Sequence, residues 1–409
     1  MVALASSLSA AEAAVLARID GRRGAMLAEI EAWSAINSGS RNLDGLARMA
    51  DVLAAAFAPL GGDIARVAAA PASRIDADGR EVALTHGDNL HIVKRPQAPV
   101  RVLMTGHMDT VFGADHPFQA CRWLDADTLN GPGTADMKGG IAVLKAALTA
   151  FEASPFADQL GWEIVLNSDE EVSSPGSAPL LDAAARRCHL GLTYEPALPD
   201  GTLAGARAGS GNFSAAIHGR AAHAGRNPLD GRNAIVAAAD LALRLAALAG
   251  DDLSVNPAMI EGGGPNNIVP DTAVLRWNMR PRSGTAQVRA EAGINKAVGD
   301  VAVAHDVMIH VHGRFARPPK PLDANQLRLF ELVQSCGAAL GLGISWRDTG
   351  GVCDGNNLAA TGLAVVDTLG PRGGAIHSAD EFLCADSLEE RARLSALILM
   401  RVAQHGWQR

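Results

Sequence analysis

The run Arg101-Val102-Leu103-Met104-Thr105-Gly106-His107-Met108-Asp109 decides the fold. Its first half is apolar and partly β-branched, so it reads as a short buried strand, and polar residues take over where that strand ends. Two later segments repeat the arrangement. Trp162 to Asn167 closes on Ser168-Asp169-Glu170-Glu171, and Leu190 to Tyr194 runs into Glu195-Pro196. Between them lie two helical stretches, the alanine-rich Gly139 to Phe151 and Ala178 to Arg187. Strands alternating with helices predict an α/β domain with a mixed, mostly parallel sheet flanked by helices. Upstream, apolar residues at helical spacing (Val15, Ile19, Met26, Ile30, Trp33) predict a helix from Ser9 to Trp33. A second follows from Asn42 to Leu60 after the Ser38-Gly39-Ser40-Arg41 break, and Asp88 to Lys94 reads as a strand.

Around Gly209 the pattern changes. Asn212 to His218 alternates like a half-buried strand, Asn233 to Leu248 is helical, and Thr272 to Met279 and Val307 to Phe315 read as further strands. After Pro318-Pro319-Lys320-Pro321 the helix and strand alternation resumes with Gln326 to Leu340 and Leu363 to Leu369. The expected organisation is a discontinuous catalytic domain, residues 1–208 and 317–409, interrupted by an α+β insert at 209–316.

Composition narrows the function. The 409 residues are 48% hydrophobic and 20% charged, in the globular range, and 36 basic against 44 acidic residues leave a net charge of −8. That balance argues against a general phosphate-binding surface, so no nucleic acid partner is expected. The five cysteines are scattered without a Cys-x-x-Cys pair, which argues against a disulfide framework and a thiolate zinc knuckle. Met1 to Val15 has neither a basic leader nor a long apolar run, and no stretch reaches the length of a membrane span. A cytoplasmic protein with no membrane association is the expectation.

Chemistry concentrates at the strand ends. In His107-Met108-Asp109 the alternation of an extended chain points both polar side chains the same way, so the carboxylate can fix the imidazole tautomer. Alone, the unit also fits a solvated loop. The turn Gly131-Pro132-Gly133-Thr134-Ala135-Asp136-Met137-Lys138-Gly139-Gly140 lacks the spacing of either common nucleotide-binding glycine motif and is better suited to presenting Asp136. Three consecutive acids, Asp169 to Glu171, repel one another unless a cation or proton intervenes. Glu195 follows another strand, and His377 sits in the loop Gly373-Gly374-Ala375-Ile376-His377-Ser378-Ala379-Asp380-Glu381. In an open α/β sheet such strand ends converge on one crevice. Two imidazoles and several carboxylates, with no thiolate, suit a pair of divalent ions such as zinc.

These segments resemble the di-zinc amidohydrolase and exopeptidase family that contains acetylornithine deacetylase, succinyl-diaminopimelate desuccinylase, aminoacylase and bacterial glutamate carboxypeptidase. The likeness runs from Leu103 to Glu381 through GHMDTV, GPGTADMKGG, NSDEEVSSPGS, EP, AAHAGRNPLDGRNA, NNIVP and GPRGGAIHSADEF. The glutamate carboxypeptidase branch is the most similar, including Thr349-Gly350-Gly351-Val352-Cys353-Asp354-Gly355. The resemblance implies a zinc-exopeptidase-like catalytic domain with a ferredoxin-like dimerisation or lid insert, acting as a homodimer. It implies two zinc ions per subunit, replaceable by cobalt or manganese. Asp136 would bridge them, His107 and Glu195 would hold one, and Glu171 and His377 the other. By the same resemblance Glu170 is the general base, Asp109 its catalytic companion beside His107, and the Asp136–Met137 peptide is cis. His223 would reach the partner subunit's site to stabilise the oxyanion, and Asn267, Arg280, Gly350 and Gly351 would bind substrate.

The implied activity is zinc-dependent hydrolysis of the amide bond of an N-acyl amino acid, or of a C-terminal peptide bond, with a free carboxylate beside it. A water held between the metals would give its proton to Glu170. The rivals are an N-acetyl or N-succinyl deacylase of amino-acid biosynthesis and a non-catalytic metal-binding dimer, and an intact Glu170 argues against the latter. His310 and His312 alternate on one strand face and read as sheet surface, and Cys353 reads as a small buried thiol. Arg207, Val352-Cys353 and Asn356-Asn357 depart from the branch's pattern and are expected near the pocket.

Overall fold

The computed structural model describes residues 7–408; residues 1–6, part of the segment read as leaderless, lie outside the described residues. A six-stranded sheet forms the centre, in the order Asp63–Val67, Asn89–Lys94, Leu160–Asn167, Val100–His107, Leu190–Thr193, Ala364–Val366. The last four run parallel, and the first two add an antiparallel edge. Leu160–Asn167 and Val100–His107 are buried along nearly their whole length, as expected of strands covered on both faces. One face carries Gly140–Glu152 and Ser387–His405, and the other carries Ala178–Arg187 and Asp354–Ala360. Close helix contact is the reason for a glycine at 140, where a Cβ would lie 1.9 Å from the Tyr194 carbonyl oxygen.

Most elements fall within a residue or two of their expected ends, but the first helix does not. It breaks into Ala10–Leu16 and Arg23–Ser34, because Gly21 adopts φ +78° and turns the chain between two segments that both bury their apolar faces. Ser9 and Glu12 form a reciprocal capping box at the start of the first piece.

The insert builds a four-stranded antiparallel sheet, ordered Leu253–Gly262, Thr272–Pro281, Ser210–His218, Met308–Arg317. Helices Ala234–Ala246 and Gly284–His305 cover one face. Phe213, Leu241, Trp277, Ile294 and Val301 form a core of their own beneath them. Two of these elements escape a reading based on periodicity. Leu253–Gly262 contains Pro257 and is mostly exposed, as an edge strand with a register shift after Pro257. Gly284–His305 buries mainly small residues (Ala286, Ala290, Ile294, Ala297, Val301), so its apolar stripe is faint. Among the described residues no helix is long and apolar enough to cross a membrane.

Candidate active site

Four loops leaving the parallel strands bring their polar residues to one crevice. His107 ends its strand fully buried, and its Nδ1 donates to the Asp109 carbonyl oxygen at 2.9 Å. That bond leaves Nε2 facing the Asp136 Oδ1 atom at 3.0 Å and Glu195 Oε1 at 3.9 Å. The second oxygen of Asp136 lies 3.4 Å from His377 Nε2, which also approaches Glu171 Oε2 at 3.1 Å. Asp136 is therefore shared between two imidazoles, each with its own glutamate. Donor atoms of His107, Asp136 and Glu171 all lie within 4.8 Å of one another.

The turn that presents Asp136 is held from beneath. Glu381, itself buried, accepts the amides of Gly133, Ala135 and Asp136 at 3.0–3.1 Å, and the Asp136–Met137 peptide is cis. His377 adopts φ +63°, a left-handed conformation uncommon outside glycine.

The three adjacent acids separate by function. Asp169 turns inward and accepts the Gly176 and Ser177 amides and the Ser177 hydroxyl, closing its own loop. Asp109 accepts the backbone amides of Glu170 and Glu171 at 3.1 and 3.2 Å and the Ser40 hydroxyl at 2.7 Å. Its carboxylate stands 3.5 Å from His107 Nδ1, so it orients both the imidazole and the glutamate pair. Glu170 Oε1 accepts from Arg317 Nη2 at 2.7 Å. Arg317, the last residue of the insert's final strand, also binds Ser174, Asn357, Asp354 and the Glu170 carbonyl oxygen. Nothing in periodicity or spacing singles out Arg317 or Glu381, because their roles come from contacts far apart in sequence.

The electrostatics match a cation site. Burial raises Glu171 to about 7, with the Asp136 charge adding to it, and burial and Asp136 likewise raise Glu195. Burial pushes Glu170 well above the usual carboxylate range against the opposing pull of Arg317. Hydrogen bonds donated to Asp136 and Glu171 hold His377 at about 11. Burial would lower His107, yet Asp109, Asp136 and Glu195 hold it well above its ordinary value. Carboxylates crowded until they retain protons, around imidazoles forced to carry them, form a donor set whose repulsion divalent cations relieve. The residues fit a dinuclear metal centre.

The crevice opens into a cavity of about 670 Å³ lined by Asp136, Glu170, Glu195, His377, Arg207, Arg280 and Gly350–Val352. Arg280 Nη1 and Arg207 Nη1 each donate to this glycine turn, at Gly350 and Gly351 respectively, both at 3.1 Å. Arg207 is also paired with Asp367, which Lys320 shares, so one buried carboxylate faces two cations. Val352 and Cys353 line the cavity, and burial raises the Cys353 thiol well above its usual range. Asn356 and Asn357 instead hold the chain between the domains, through Ala208, Pro318 and Ala316.

His223 and Asn267 do not line this cavity. His223 pairs with Ile268 in an isolated bridge in the insert, and the Ala224 amide beside it donates to the Asn267 carbonyl oxygen at 2.9 Å. His223 Nδ1 accepts the amides of Gly225 and Arg226, so Nε2 carries the proton. His312 contacts Ser73 at 3.0 Å, and His310 is exposed on the sheet.

Known proteins share this construction. The model of peptidase family M20/M25/M40 matches residues 103–401. Carboxypeptidase G2 of Pseudomonas sp. (strain RS-16) is 27% identical over 385 residues, 92% of this chain and 89% of that one. A succinyl-diaminopimelate desuccinylase of Thioalkalivibrio sulfidiphilus is 27% identical over 341 residues, 77% of this chain and 87% of that one. In shape, a Staphylococcus aureus tripeptidase gives a TM-score of 0.69 at 21% identity, covering 94% of this chain and 99% of that one. The Bacillus subtilis YXEP protein, named as a dinuclear metal-binding peptidase of the M20 family, gives 0.65 at 13% identity, covering 93% and 98%. With the shared aspartate, the paired imidazoles and the glutamate beside them already in place, the chain belongs to peptidase family M20/M25/M40 and is a metal-dependent hydrolase of amide bonds.

Proposed function

We propose that this enzyme releases an amino acid from an N-acyl amino acid or from the C-terminus of a peptide, recognising the free carboxylate beside the scissile amide. One observation carries the reading: a single cavity is lined by Glu170, by the metal-type donors Asp136, Glu195 and His377, and by two guanidinium groups, Arg207 and Arg280. Guanidinium forks suit a carboxylate, and an amide held by its carboxylate end presents its carbonyl to the other wall.

The donor set fits two zinc ions, with cobalt or manganese as substitutes: His107 and Glu195 for one, Glu171 and His377 for the other, and Asp136 for both. When bound, the metals supply Lewis acidity toward the carbonyl and lower the pKa of water. Glu170 takes the water's proton on the carboxylate oxygen that Arg317 leaves free and returns it to the leaving amine. Its burial makes the protonated form accessible between these two transfers. Asp109 keeps Glu170 and Glu171 in register through their amides. The Gly350-Gly351 turn, fixed by the two arginines, forms the floor under the substrate's carboxylate end.

His223 and Asn267 serve a second copy of the chain. The proton on His223 Nε2 is a ready donor for the oxyanion that develops at the carbonyl, and Asn267 accompanies it toward the substrate. The insert, taken as residues 209–316, is the dimerisation domain. Its edge strand exposes Ile260, and the helix beside it exposes Val236 and Leu243, an apolar margin suited to a symmetric copy. The cytoplasm is the expected location.

A second reading, an N-succinyl or N-acetyl amino-acid deacylase, is favoured by the desuccinylases among the relatives. A panel of N-acyl glutamates, N-succinyl and N-acetyl diamino acids and C-terminal dipeptides, assayed on metal-stripped protein with and without zinc or cobalt, separates the two. Metal-restored release of glutamate-like amino acids supports the first reading, and preference for N-succinyl or N-acetyl diamino acids supports the second. Silence across the panel, with metal bound, contradicts both.

A further inference from the structure

A second cleft, of about 610 Å³, lies between the domains beyond the Glu170–Val172 turn. One wall is the polar face of the insert's sheet. The strand register places Arg314, Asn212 and Asn278 side by side across three strands, with His312, Ser214 and Arg276 in the next row on the same face. The opposite wall comes from the catalytic domain: Arg74 on the hairpin Ala72–Ile75, Arg41 before the helix Leu43–Phe57, and the segment Val172–Pro175.

Four arginines therefore line one concavity, in a chain whose net charge is −8. Arg276 is neutralised by Glu261 at 2.8 Å and tied to Ser214 and the Ile75 carbonyl oxygen. The side chains of Arg41, Arg74 and Arg314 make no hydrogen bond or salt bridge among the described residues. The acids nearest this cleft are already engaged: Glu81 by the Ser73 hydroxyl, Asp169 by its own loop and Asp109 by the Glu170 and Glu171 amides. Burial and the neighbouring Arg74 charge both work against the Arg41 guanidinium, with Asp169 and Asp109 pulling the other way. Single unpaired arginines are ordinary on a surface, but here three line one cleft from two domains, with Arg41 and Arg74 close enough to oppose one another, and an anion between the walls would relieve that field.

We infer that this cleft binds a multiply charged oxyanion, of carboxylate or phosphate chemistry, held between Arg41 and Arg74 of the catalytic domain and Arg314 of the insert. Asn212 and Asn278 supply neutral donors beside it. Because the two walls belong to different domains, the bound anion fastens the insert to the hairpin and to the turn that carries Glu170. The site is separate from the one lined by Arg207 and Arg280 and does not depend on which amide the enzyme cleaves.

The test is calorimetric titration of the metal-loaded protein with inorganic phosphate and, separately, with an all-D triglutamate peptide, at low salt and at about 0.3 M salt, where screening should weaken a charge-driven contact. Saturable binding is expected, with Arg74→Ala and Arg314→Ala each weakening it about tenfold or more, and Arg280→Ala leaving it unchanged. The probe that binds more tightly identifies phosphate or carboxylate as the ligand's chemistry. Arg74 and Arg314 are exposed, so their variants should melt with the parent protein. Absence of saturable binding for both probes, affinity unchanged in Arg74→Ala and Arg314→Ala, or loss only in Arg280→Ala would overturn the inference.

Discussion

The strand ends of the catalytic sheet and the loops of the insert carry the same kinds of side chain but assemble them differently. At the sheet, His107, Asp136, Glu171, Glu195 and His377 come from separate loops and converge within one chain, with Asp136 contacting both imidazoles. In the insert, the loops carrying His223 and Asn267 also meet, at the His223–Ile268 bridge, yet neither residue lines the cavity that holds Glu170. The first group is complete where it stands. The second has a defined donor atom, His223 Nε2, outside that cavity. Under the proposed dimeric arrangement, His223 supplies to a second copy of the chain the donor that the first group lacks.

The largest effect should come from the complete group. Stripping the metal should abolish amide hydrolysis, and zinc or cobalt should restore it; activity that survives full removal would break the assignment. Glu170→Gln should lower kcat by about 10²–10⁴ with metal content unchanged, as expected for a lost proton-transfer group. A parallel loss of metal would instead make Glu170 a ligand. On the other side of the comparison, His223→Ala should cost about 10²–10³ in kcat without altering metal content, the cost of one oxyanion donor. Arg280→Ala should mainly raise KM, by about 10- to 100-fold, which is the usual worth of a charged hydrogen bond; a kcat effect alone would place it elsewhere in the mechanism.

The smallest effect is in stability. Glu171 ordinarily titrates near 4.5 but is held at about 7 in the folded, metal-free protein. The folded state then binds more protons than the unfolded one between those values, so stability of the metal-free protein should fall as pH rises from about 4.5 to about 7. Metal binding should remove or reverse that slope, because it requires the ionised carboxylate. Melting temperature against pH, with and without zinc, reads this directly, and identical slopes would count against Glu171 as a ligand.

Much of this was legible in the sequence, for physical reasons that differ by region. Val100–His107 and Leu160–Asn167 are mostly apolar, broken only by Arg101 and Glu163 before they end in polar residues, and burial on both faces leaves that pattern little alternative. The strand Leu253–Gly262 and the helix Gly284–His305 were not legible, since an exposed edge with a proline and a helix buried through alanines both blur the periodic signal. In the site, the types and order of His107, Asp136, Glu170, Glu171, Glu195 and His377 suggested metal chemistry, because strand ends of a parallel sheet converge. The supports did not announce themselves. Glu381 acts through amides 245 to 248 residues away, and Arg317 reaches Glu170 across 147 residues. The split of the first helix at Gly21 shows the limit from the other side, where one glycine outweighs an unbroken apolar spacing.

In the proposed dimer, one reaction centre draws its metals and base from one chain and its oxyanion donor from another. Mixing Glu170→Gln with His223→Ala, each nearly inactive alone, tests it most directly. Subunit exchange would create dimers in which one site carries both defects and the other carries neither, so the mixture should recover about a quarter of the parent activity. No recovery, with exchange between subunits confirmed, would contradict the account and place His223 in its own chain's site or outside the reaction.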